Sequence, residues 1–575
     1  MGQRRGDGSL FRADAVLTPS PSFAALRAAF AWQLPERYNI GVDACDKWAQ
    51  ADPSRLAIID VAADGRARHH DFAALRAASN RLANVLALHG IGRPGAAATG
   101  DRVGVLLAQR FETAAAHLGI LKAGAVSLPL FTLFGPDALR HRLVDSGARA
   151  VVTDTAGATA IAGIRSDLPA LELVLSIGGA VPGALDFDAA CAAASPEFTP
   201  ADTHPDDPAI LIYTSGTTGK PKGALHGHRV LLGHLPGVEV SHDFLPHPGD
   251  RFWTPADWAW IGGLLDVLLP ALHHGIPVVA RRFEKFTAEG AFALMREQGV
   301  RNVFLPPTAL KMMRRAPSEL ARGLSLRSVA SGGEPLGEAL LAWGRDVLGV
   351  TINEFYGQTE CNMIVSACGA VEPPVPGTMG RPVPGHEVAV LDATSGTRRP
   401  AGVDGEIAVR APDPVMFLGY WRAPEATLAK FVDGPDGRWM LTGDRGVEDG
   451  SGRLRFIARG DDVITSGGYR IGPAEVEDCL LGHPAVRLAG VVGKPDPLRG
   501  TVVAAYVQLH EGSAPSPSLA DEIALHVKTR LAANQYPRVV RFVEDMPMTV
   551  TGKIIRAHLR QLAEAEAAAE EREKP

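Results

Sequence analysis

The residues best suited to chemistry lie in one short segment, YTSGTTGKPKG at 213–223. It follows an apolar run, Ala209 to Ile212, which predicts a strand. Glycines let the backbone approach a polyanion, Ser and Thr hydroxyls offer donors, and lysines offer positive charge. The segment therefore has the chemistry of a phosphate-binding loop. Its candidate residues are Thr214, Ser215, Gly216, Thr217, Thr218, Gly219, Lys220, Pro221 and Lys222.

This loop differs from the Walker A loop of nucleotide hydrolases. A Walker A loop has Ser or Thr after its lysine, and here Pro221 follows Lys220. Proline removes a backbone donor and disfavours continuation into a helix. The alternative interpretation is a flexible surface turn rich in serine and glycine.

The same string closely matches the signature loop of the adenylate-forming enzymes. Over about residues 40–560 the chain resembles the AMP-binding superfamily of acyl-CoA synthetases, luciferases and peptide-synthetase adenylation domains. It is most similar to the medium-chain acyl-CoA synthetases. Further signature segments follow in the expected order: SGGEP at 331–335, YGQTE at 356–360, LTGD at 441–444, ARGDD at 458–462, TSGGYRIGPAEVE at 465–477 and PMTVTGKIIR at 547–556.

The resemblance implies a catalytic set of Lys553, Thr359 and Glu360. Thr359 is expected to contact the α-phosphate and the acyl carboxylate, and Glu360 to hold Mg²⁺, which prefers hard oxygen ligands. Tyr356 is expected near the adenine, with Asp444 and Arg459 at the ribose. Beside the phosphate loop, the ATP-directed residues are Gly333, Glu334, Tyr356, Gly357, Gln358, Thr359, Asp444, Arg459 and Lys553.

For coenzyme A, the resemblance implies a tunnel formed after a small domain rotates about a hinge at Asp461. The CoA-directed residues are Gly467, Gly468, Tyr469, Arg499, Thr529 and Arg538. Val539 and Phe134 depart from the medium-chain pattern. The resemblance therefore supports the CoA contacts less strongly than the ATP contacts.

The acyl-directed residues implied by the resemblance are Trp258, Trp260, Gly357, Thr359 and Arg470. Acetate-specific relatives carry a tryptophan where this chain has Gly357, so we expect an acid longer than acetate. Trp258 is bulky where smaller residues are usual, and it either shortens the pocket or packs in the core. Medium-chain, branched and aryl acids all stay open.

These parts predict activation of a carboxylic acid by MgATP to an acyl-adenylate and pyrophosphate, followed by transfer to CoA with release of AMP. Mg²⁺ is the expected cofactor and CoA the co-substrate. One alternative is an adenylation enzyme that loads a carrier protein or another acceptor. A kinase or a nucleoside triphosphatase is disfavoured by Pro221 and by the absence of a Walker motif. An inactive adenylate-binding protein is disfavoured by the presence of Lys553, Glu360 and Asp444.

The elements that must position these residues alternate between strand and helix. Arg102–Leu107 and Ala150–Asp154 read as buried strands, with a helix at Phe111–Lys122 between them. We expect an α/β fold whose large N-terminal domain has parallel-rich sheets covered by helices and a distorted β-barrel-like part, followed by a small mobile α+β domain. The predicted ranges are an N-terminal extension at 1–39, an adenylation domain at 40–460, a swivelling domain at 461–560 and a charged, solvated helical tail at 561–575.

Composition fits a globular protein of more than one domain, with 575 residues, 46% of them apolar and 21% charged. A net charge of −6 gives no sign of nucleic-acid binding, and five widely spaced cysteines indicate neither disulfides nor a zinc site. His226 with His228, and His273 with His274, lack a suitably spaced third metal ligand. We expect a cytoplasmic protein with no secretory signal and no membrane span; the oligomeric state stays open.

Overall fold

A computed structural model describes residues 15–92, 99–214, 221–460, 462, 464–466, 469–496, 500–531, 536–549 and 552–572. The chain divides into two compact units. The first comprises Met1–Glu387 with Arg410–Phe431, and the second comprises Val388–Val409 with Val432–Pro575.

Strands occur throughout both units. In chain order they are β1 (Leu56–Val61), β2 (Ala67–Asp71), β3 (Arg102–Leu106), β4 (Val126–Pro129), β5 (Ala150–Asp154), β6 (Leu173–Ile177), β7 (Leu185–Asp186), β8 (Pro208–Tyr213), β9 (Gly223–Gly227), β10 (Phe252–Trp253), β11 (Val278–Ala280), β12 (Asn302–Phe304), β13 (Ser328–Gly332), β14 (Ile352–Gln358), β15 (Cys361–Ser366), β16 (Arg381–Pro382), β17 (Val388–Leu391), β18 (Gly405–Arg410), β19 (Gly419–Tyr420), β20 (Phe431–Gly434), β21 (Gly437–Glu448), β22 (Leu454–Arg459), β23 (Ile464–Ser466), β24 (Tyr469–Ile471), β25 (Val486–Asp496), β26 (Gly500–Leu509) and β27 (Val539–Phe542).

Helices separate most of these strands. They are α1 (Phe23–Ala29), α2 (Lys47–Ala51), α3 (Phe72–Leu88), α4 (Phe111–Lys122), α5 (Pro136–Ser146), α6 (Thr155–Ala162), α7 (Phe187–Ala193), α8 (Val230–Ser241), α9 (Ile261–Gly263), α10 (Leu269–His273), α11 (Ala288–Glu297), α12 (Pro307–Arg315), α13 (Glu338–Trp343), α14 (Pro424–Leu428), α15 (Pro473–Leu481), α16 (Pro517–Arg530) and α17 (Arg556–Arg572). Three π-helical segments occur at Val42–Asp46, Leu264–Leu268 and Gly344–Leu348, and 3₁₀ turns at Arg165–Asp167 and Ser318–Ala321, among the described residues.

The first unit contains two large mixed sheets. One has the order β16-β15-β14-β13-β12-β10-β11-β1-β2, and the other has the order β19-β9-β8-β4-β3-β5-β6-β7. Strands β10 to β14 with β1, and β3 to β8, pair in parallel, whereas β2, β9, β15, β16 and β19 pair antiparallel. The predicted parallel-rich architecture is confirmed.

Local sequence explains these elements. β3 and β5 are almost wholly buried, which accounts for their continuous apolar character. Asp71 caps α3 by accepting a 2.8 Å hydrogen bond from the Ala74 amide. After α3, Gly90 adopts φ +65°, a conformation that glycine reaches without strain.

The second unit contains two antiparallel-rich sheets. One has the order β17-β18-β21-β20, with β22 paired to β21, and supplies the half-barrel part of the fold. The other has the order β24-β23-β26-β25, with β27 paired to β26 in parallel. Helices α15 and α16 pack on this second sheet through Val476, Leu480, Ile523 and Val527. This part is the small α+β domain that the sequence predicts.

Most described side chains of the predicted charged tail at 561–575 are exposed, but Ala563 is an exception. It is fully buried against β25 and β26, as is Leu559, which precedes the predicted tail. Glu566 lies 3.3 Å from the ammonium of Lys494, which is itself only 3% exposed. The composition of this segment indicates its charge, but it does not indicate which residues the segment contacts.

No described helix is both long and apolar enough to cross a membrane.

Candidate functional site

The stem of the phosphate loop is a hairpin formed by β8 and β9. Tyr213 pairs with Gly223, and the Thr214 amide donates a 2.9 Å hydrogen bond to the Lys222 carbonyl. Pro221 is anchored because its carbonyl lies 3.0 Å from Nε2 of His141. Lys222 is exposed. Ser215, Gly216, Thr217, Thr218, Gly219 and Lys220 lie outside the described residues.

Thr359 and Glu360 form the turn of a second hairpin, between β14 and β15. Gln358 pairs with Cys361, so these two residues are the whole connection. Thr359 is half-buried, whereas Glu360 is only 7% exposed. The turn therefore holds a hydroxyl and a carboxylate side by side at the carboxyl end of β14, the edge where parallel α/β sheets bind ligands.

Tyr420 connects the two hairpins, and sequence reasoning missed it. Its hydroxyl donates a short hydrogen bond to Oε1 of Glu360. In β19 it pairs with Ala224 of β9, and the ammonium of Lys222 lies 5.4 Å from the centroid of its ring. No local spacing could have revealed this link, because Tyr420 lies 60 residues from Glu360 in sequence.

The Glu360 carboxylate suits the Mg²⁺ that the sequence implies. Mg²⁺ is usually held by one or two carboxylates together with substrate phosphates and water. One oxygen of Glu360 is oriented by Tyr420, which fixes the carboxylate before any ion binds. The described residues contain no cluster of three or more His, Cys, Asp or Glu able to hold a metal, so phosphate oxygens would have to supply other ligands.

Gly357 is required by its own hairpin. A Cβ at this position would lie 2.4 Å from the Met363 amide nitrogen and 2.6 Å from Asn362 Cα. The strand pairing shifts register here, which brings the two backbones close. The absence of a side chain therefore has a local cause, and it does not by itself enlarge an acyl pocket.

The other residues predicted near ATP in this unit flank the same sheet edge. Tyr356 is buried at 9% exposure in β14, and Gln358 accepts a 3.4 Å hydrogen bond from Lys430. Gly333 follows β13 with φ +98°, and Glu334 lies 3.9 Å from the Lys311 ammonium. The SGGEP loop and the YGQTE turn thus leave neighbouring parallel strands, β13 and β14.

In the second unit, Asp444 and Arg459 face each other across β21 and β22. They are direct partners in the antiparallel register, with Nε of Arg459 3.6 Å from Oδ1 of Asp444. Asp444 is 4% exposed, and its amide donates a 3.1 Å hydrogen bond to the Thr442 hydroxyl. The neighbouring Gly443 amide donates to Glu406 at 2.8 Å. The two predicted ribose-directed side chains are therefore brought together.

Backbone hydrogen bonds hold the segment that carries Lys553. Gly552 has φ +80°, and its amide donates to the Thr549 carbonyl at 2.9 Å. The Lys553 amide donates to Thr549 Oγ1 at 3.1 Å, and its carbonyl accepts from the Thr549 amide at 2.7 Å. The backbone of Lys553 is thereby fixed at both of its polar groups.

The residues predicted to bind CoA are described only in part, as are the predicted hinge residue Asp461 and the acyl-directed Arg470. Asp461, Gly467, Gly468 and Arg499 lie outside the described residues, and Tyr469 and Arg470 are described only as backbone of β24. The Thr529 hydroxyl donates to the Leu525 carbonyl of its own helix at 2.9 Å. The exposed Arg538 guanidinium lies 5.1 Å from the Tyr536 ring centroid.

Comparison with known families decides the assignment. The model of the AMP-binding enzyme family matches residues 45–421, and the model of the AMP-binding enzyme C-terminal domain matches residues 475–553. The chain belongs to the AMP-binding enzyme family.

Relatives of this AMP-binding enzyme are acyl-CoA synthetases. The acetyl-coenzyme A synthetase of Bacillus subtilis is 34% identical over 91% of this chain and 90% of its own length. The mitochondrial acyl-coenzyme A synthetase ACSM4 of Rattus norvegicus is 33% identical over 92% of this chain and 91% of its own length. The anthranilate CoA ligase AuaEII, solved in complex with anthranoyl-AMP, is 28% identical, has a TM-score of 0.83 and matches 93% of this chain and 99% of that one. The enzyme is thus an AMP-forming ligase of the acyl-CoA synthetase group.

The two tryptophans predicted near the acyl group have different environments in this AMP-binding enzyme. Trp258 is fully buried and belongs to the main hydrophobic core of the first unit. Trp260 is only partly buried and packs against that core, with its ring centroid 6.1 Å from that of Phe304. The structure therefore favours core packing for Trp258 and leaves Trp260 as the more accessible ring.

Proposed function

We propose that this AMP-binding enzyme is an ATP-dependent acyl-CoA synthetase that converts a carboxylic acid, ATP and CoA into acyl-CoA, AMP and pyrophosphate through an acyl-adenylate. The observation that supports this most directly is the contact of Tyr420 with both Glu360 and Lys222. It joins the base of a phosphate-binding loop to a turn that offers a carboxylate for Mg²⁺ and a hydroxyl for the reacting groups.

The chemistry that these residues must supply is mainly charge neutralisation and positioning. Attack of a carboxylate on the α-phosphate brings negative charge together, and it needs little covalent help from a protein. Mg²⁺ held through Glu360 would neutralise phosphate charge. Lys553 and Lys222 are the cations, and Thr359 the hydroxyl donor, that we assign to the same task.

For the acid, we propose a substrate longer than acetate, with medium-chain, branched and aryl acids as the candidates. The core location of Trp258 supports this because that ring is taken up by packing rather than by shortening a pocket. The close hairpin contact explains why residue 357 is glycine, so Gly357 is not evidence for a large acyl pocket. The size of the pocket therefore has to be judged from Trp260 and its neighbours.

The deciding experiment measures pyrophosphate release from MgATP with a panel of acids from acetate to dodecanoate, together with benzoate. Each acid is tested with and without CoA. Release that is sustained only with CoA supports the synthetase and measures the pocket by chain length. Sustained release that ignores CoA would indicate another acceptor, such as a carrier protein.

A Lys553→Ala variant tests whether the release belongs to this site. We expect adenylation to fall by at least about a hundredfold, because the variant removes a cation from the developing phosphate charge. Unchanged release in Lys553→Ala, or none from the native protein with any acid, would contradict the proposal.

A further inference from the structure

A group of buried polar side chains includes two that lie near the Thr359–Glu360 turn: Asn362, two residues after Glu360, and His226, which is close to the Thr359 backbone. We define the polar cluster as His226, His234, Asp266 and Asn362. Asn362 donates a 2.6 Å hydrogen bond to Oδ1 of Asp266, and Nε2 of His234 lies 4.0 Å from the same oxygen. All four side chains are at most 5% exposed.

The cluster is incompletely paired. Nε2 of His234 has no hydrogen-bond partner among the described residues, because 4.0 Å to Asp266 is too long for a bond. Neither ring nitrogen of His226 has a partner of good geometry there, although the Thr359 backbone is near enough to influence its titration. Buried polar atoms in native proteins are rarely left unpaired, so a partner of some kind is expected here.

The elements that carry the cluster converge on the reacting end of the proposed site. His226 is in β9, which begins where the phosphate loop ends, and Asn362 is in β15, two residues after Glu360. His234 is in α8. Asp266 is in the π-helical segment Leu264–Leu268, which starts four residues after Trp260, and such segments are rare and often mark functional sites.

The two histidines of the cluster are neutral near neutral pH, because burial disfavours the imidazolium form. Burial lowers the pKa of His226 to about 3 and that of His234 to about 4. Burial also raises the pKa of the Asp266 carboxyl well above its usual value, against the effect of the Asn362 hydrogen bond. A second carboxylate on the substrate would therefore find no compensating charge in the cluster, whereas a neutral donor or acceptor would find partners.

We propose that the acyl part of the substrate carries a neutral hydrogen-bonding group, a hydroxyl in the simplest case, which pairs with His234 and Asp266. The proposal rests on the proposed function, since it concerns the acid that the same site adenylates. An unsubstituted alkyl or aryl acid would leave the buried groups unpaired, and sites that bond a hydroxyl discriminate strongly against analogues that lack it.

The test compares matched acids with the native enzyme. The pairs are butanoate with 3-hydroxybutanoate, hexanoate with 6-hydroxyhexanoate, and benzoate with 4-hydroxybenzoate, each measured as kcat/KM for pyrophosphate release. We expect the hydroxylated member of at least one pair to be preferred by about tenfold or more. Preference for the unsubstituted acid in every pair would overturn the proposal and would leave internal water as the partner of the cluster.

Variants of His234 then test the assignment. His234→Leu should abolish the preference, and His234→Gln, which keeps a donor and an acceptor, should retain most of it. The matched control is His242→Leu, another buried histidine, whose Nδ1 lies 2.8 Å from the Ser328 hydroxyl and outside the cluster. It should leave the ratio of the two acids unchanged even if it lowers stability.

The outcomes separate the two proposals. A native preference that survives in His234→Leu would overturn the inference while leaving the synthetase reaction intact. If His234→Leu does not fold, the native acid pairs and His234→Gln still decide the question. Absence of release with every acid would overturn the proposed function, and the inference would fall with it.

Discussion

Tyr420 orients Glu360, the carboxylate that we propose as a ligand of Mg²⁺. The hydroxyl of Tyr420 donates to one carboxylate oxygen, which restricts the direction of the other. Hydrogen bonds to ionised groups contribute more than those between neutral groups, and the residues that orient metal ligands matter nearly as much as the ligands. The geometry therefore predicts a measurable dependence of Mg²⁺ use on this hydroxyl.

We expect Tyr420→Phe to raise the Mg²⁺ concentration for half-maximal pyrophosphate release by about tenfold, since outer-shell hydrogen bonds affect metal affinity on that scale. The measurement is a Mg²⁺ titration at fixed ATP and acid. Tyr506→Phe is the matched control, because the Tyr506 hydroxyl also contacts a glutamate, Glu566, at 3.3 Å in the second unit. Equal Mg²⁺ dependence in the two variants would contradict the assignment.

Gly357 gives a second prediction at this scale. Gly357→Ala forces its Cβ against the backbone of residues 362–363, at 2.4 Å from a nitrogen that cannot move alone. We expect a loss of about 1–3 kcal/mol in the free energy of unfolding, as for other overpacked sites. Chemical denaturation measures it, with Gly450→Ala as control because a Cβ there meets nothing within 4 Å. A stability equal to that of the control would show that the hairpin relaxes freely.

What the sequence could and could not predict differs sharply among the site residues. Thr359, Glu360, Asp444 and Lys553 stand in motifs whose order along the chain is itself informative. Tyr420 and the polar cluster depend on contacts between segments distant in sequence. His234 and Asp266, for example, lie on a helix and a π-helical segment that meet only after folding.

At the scale of elements, α17 is a structural part of the second unit. Its first turns carry Arg556, which contacts Glu477 at 2.5 and 3.0 Å, and Arg560, which pairs with Asp462. Glu477 also accepts a 2.8 Å hydrogen bond from the Val491 amide of β25. The helix that follows Lys553 therefore contacts Glu477, which is bonded to the sheet, and also Asp462. Asp462 directly follows the predicted hinge residue, Asp461.

We expect Arg556→Ala to lower the free energy of unfolding by about 2 kcal/mol, because it leaves the mostly buried Glu477 without its cation. Thermal or denaturant unfolding measures the change. Arg572→Ala, at the exposed end of the same helix, should change stability by less than about 0.5 kcal/mol. Similar effects of the two substitutions would mean that the Arg556 pair contributes no more than a surface charge.

Sequence patterns predicted the elements well where burial is a local property. The helix at Phe111–Lys122 and the strand at Ala150–Asp154 have the predicted bounds, because each is bounded by its own change of pattern. The pattern of the tail does not reveal the burial of Ala563, because the same alanines and glutamates that suggest a solvated helix also supply Ala563 and Glu566 to a packed face. Only the partners on β25 and β26 distinguish the two cases.

At the scale of the whole molecule, the predicted fold class is confirmed, and the predicted domain bounds remain predictions. The α+β part that begins near residue 461 belongs to the same compact unit as the half-barrel sheet. In the resemblance to adenylate-forming enzymes, this part turns about the hinge between the two half-reactions, so that Lys553 acts in the first and the 467–469 segment in the second. Such a cycle requires a backbone change at a very small number of residues.

A proline at the predicted hinge separates the half-reactions. Proline fixes φ near −65° and restricts the preceding residue, so Asp461→Pro should hold the chain in one of the two states. We expect it to retain adenylation, measured as acyl-adenylate and pyrophosphate formed in a single turnover without CoA, and to lower the rate of acyl-CoA formation at least about a hundredfold. Asp461→Ala is the matched control, since it removes the carboxylate but leaves φ free, and both half-reactions should persist in it. Equal loss of both half-reactions in Asp461→Pro, or equal loss of thioester formation in the two variants, would show that rotation about this residue is not what separates the steps.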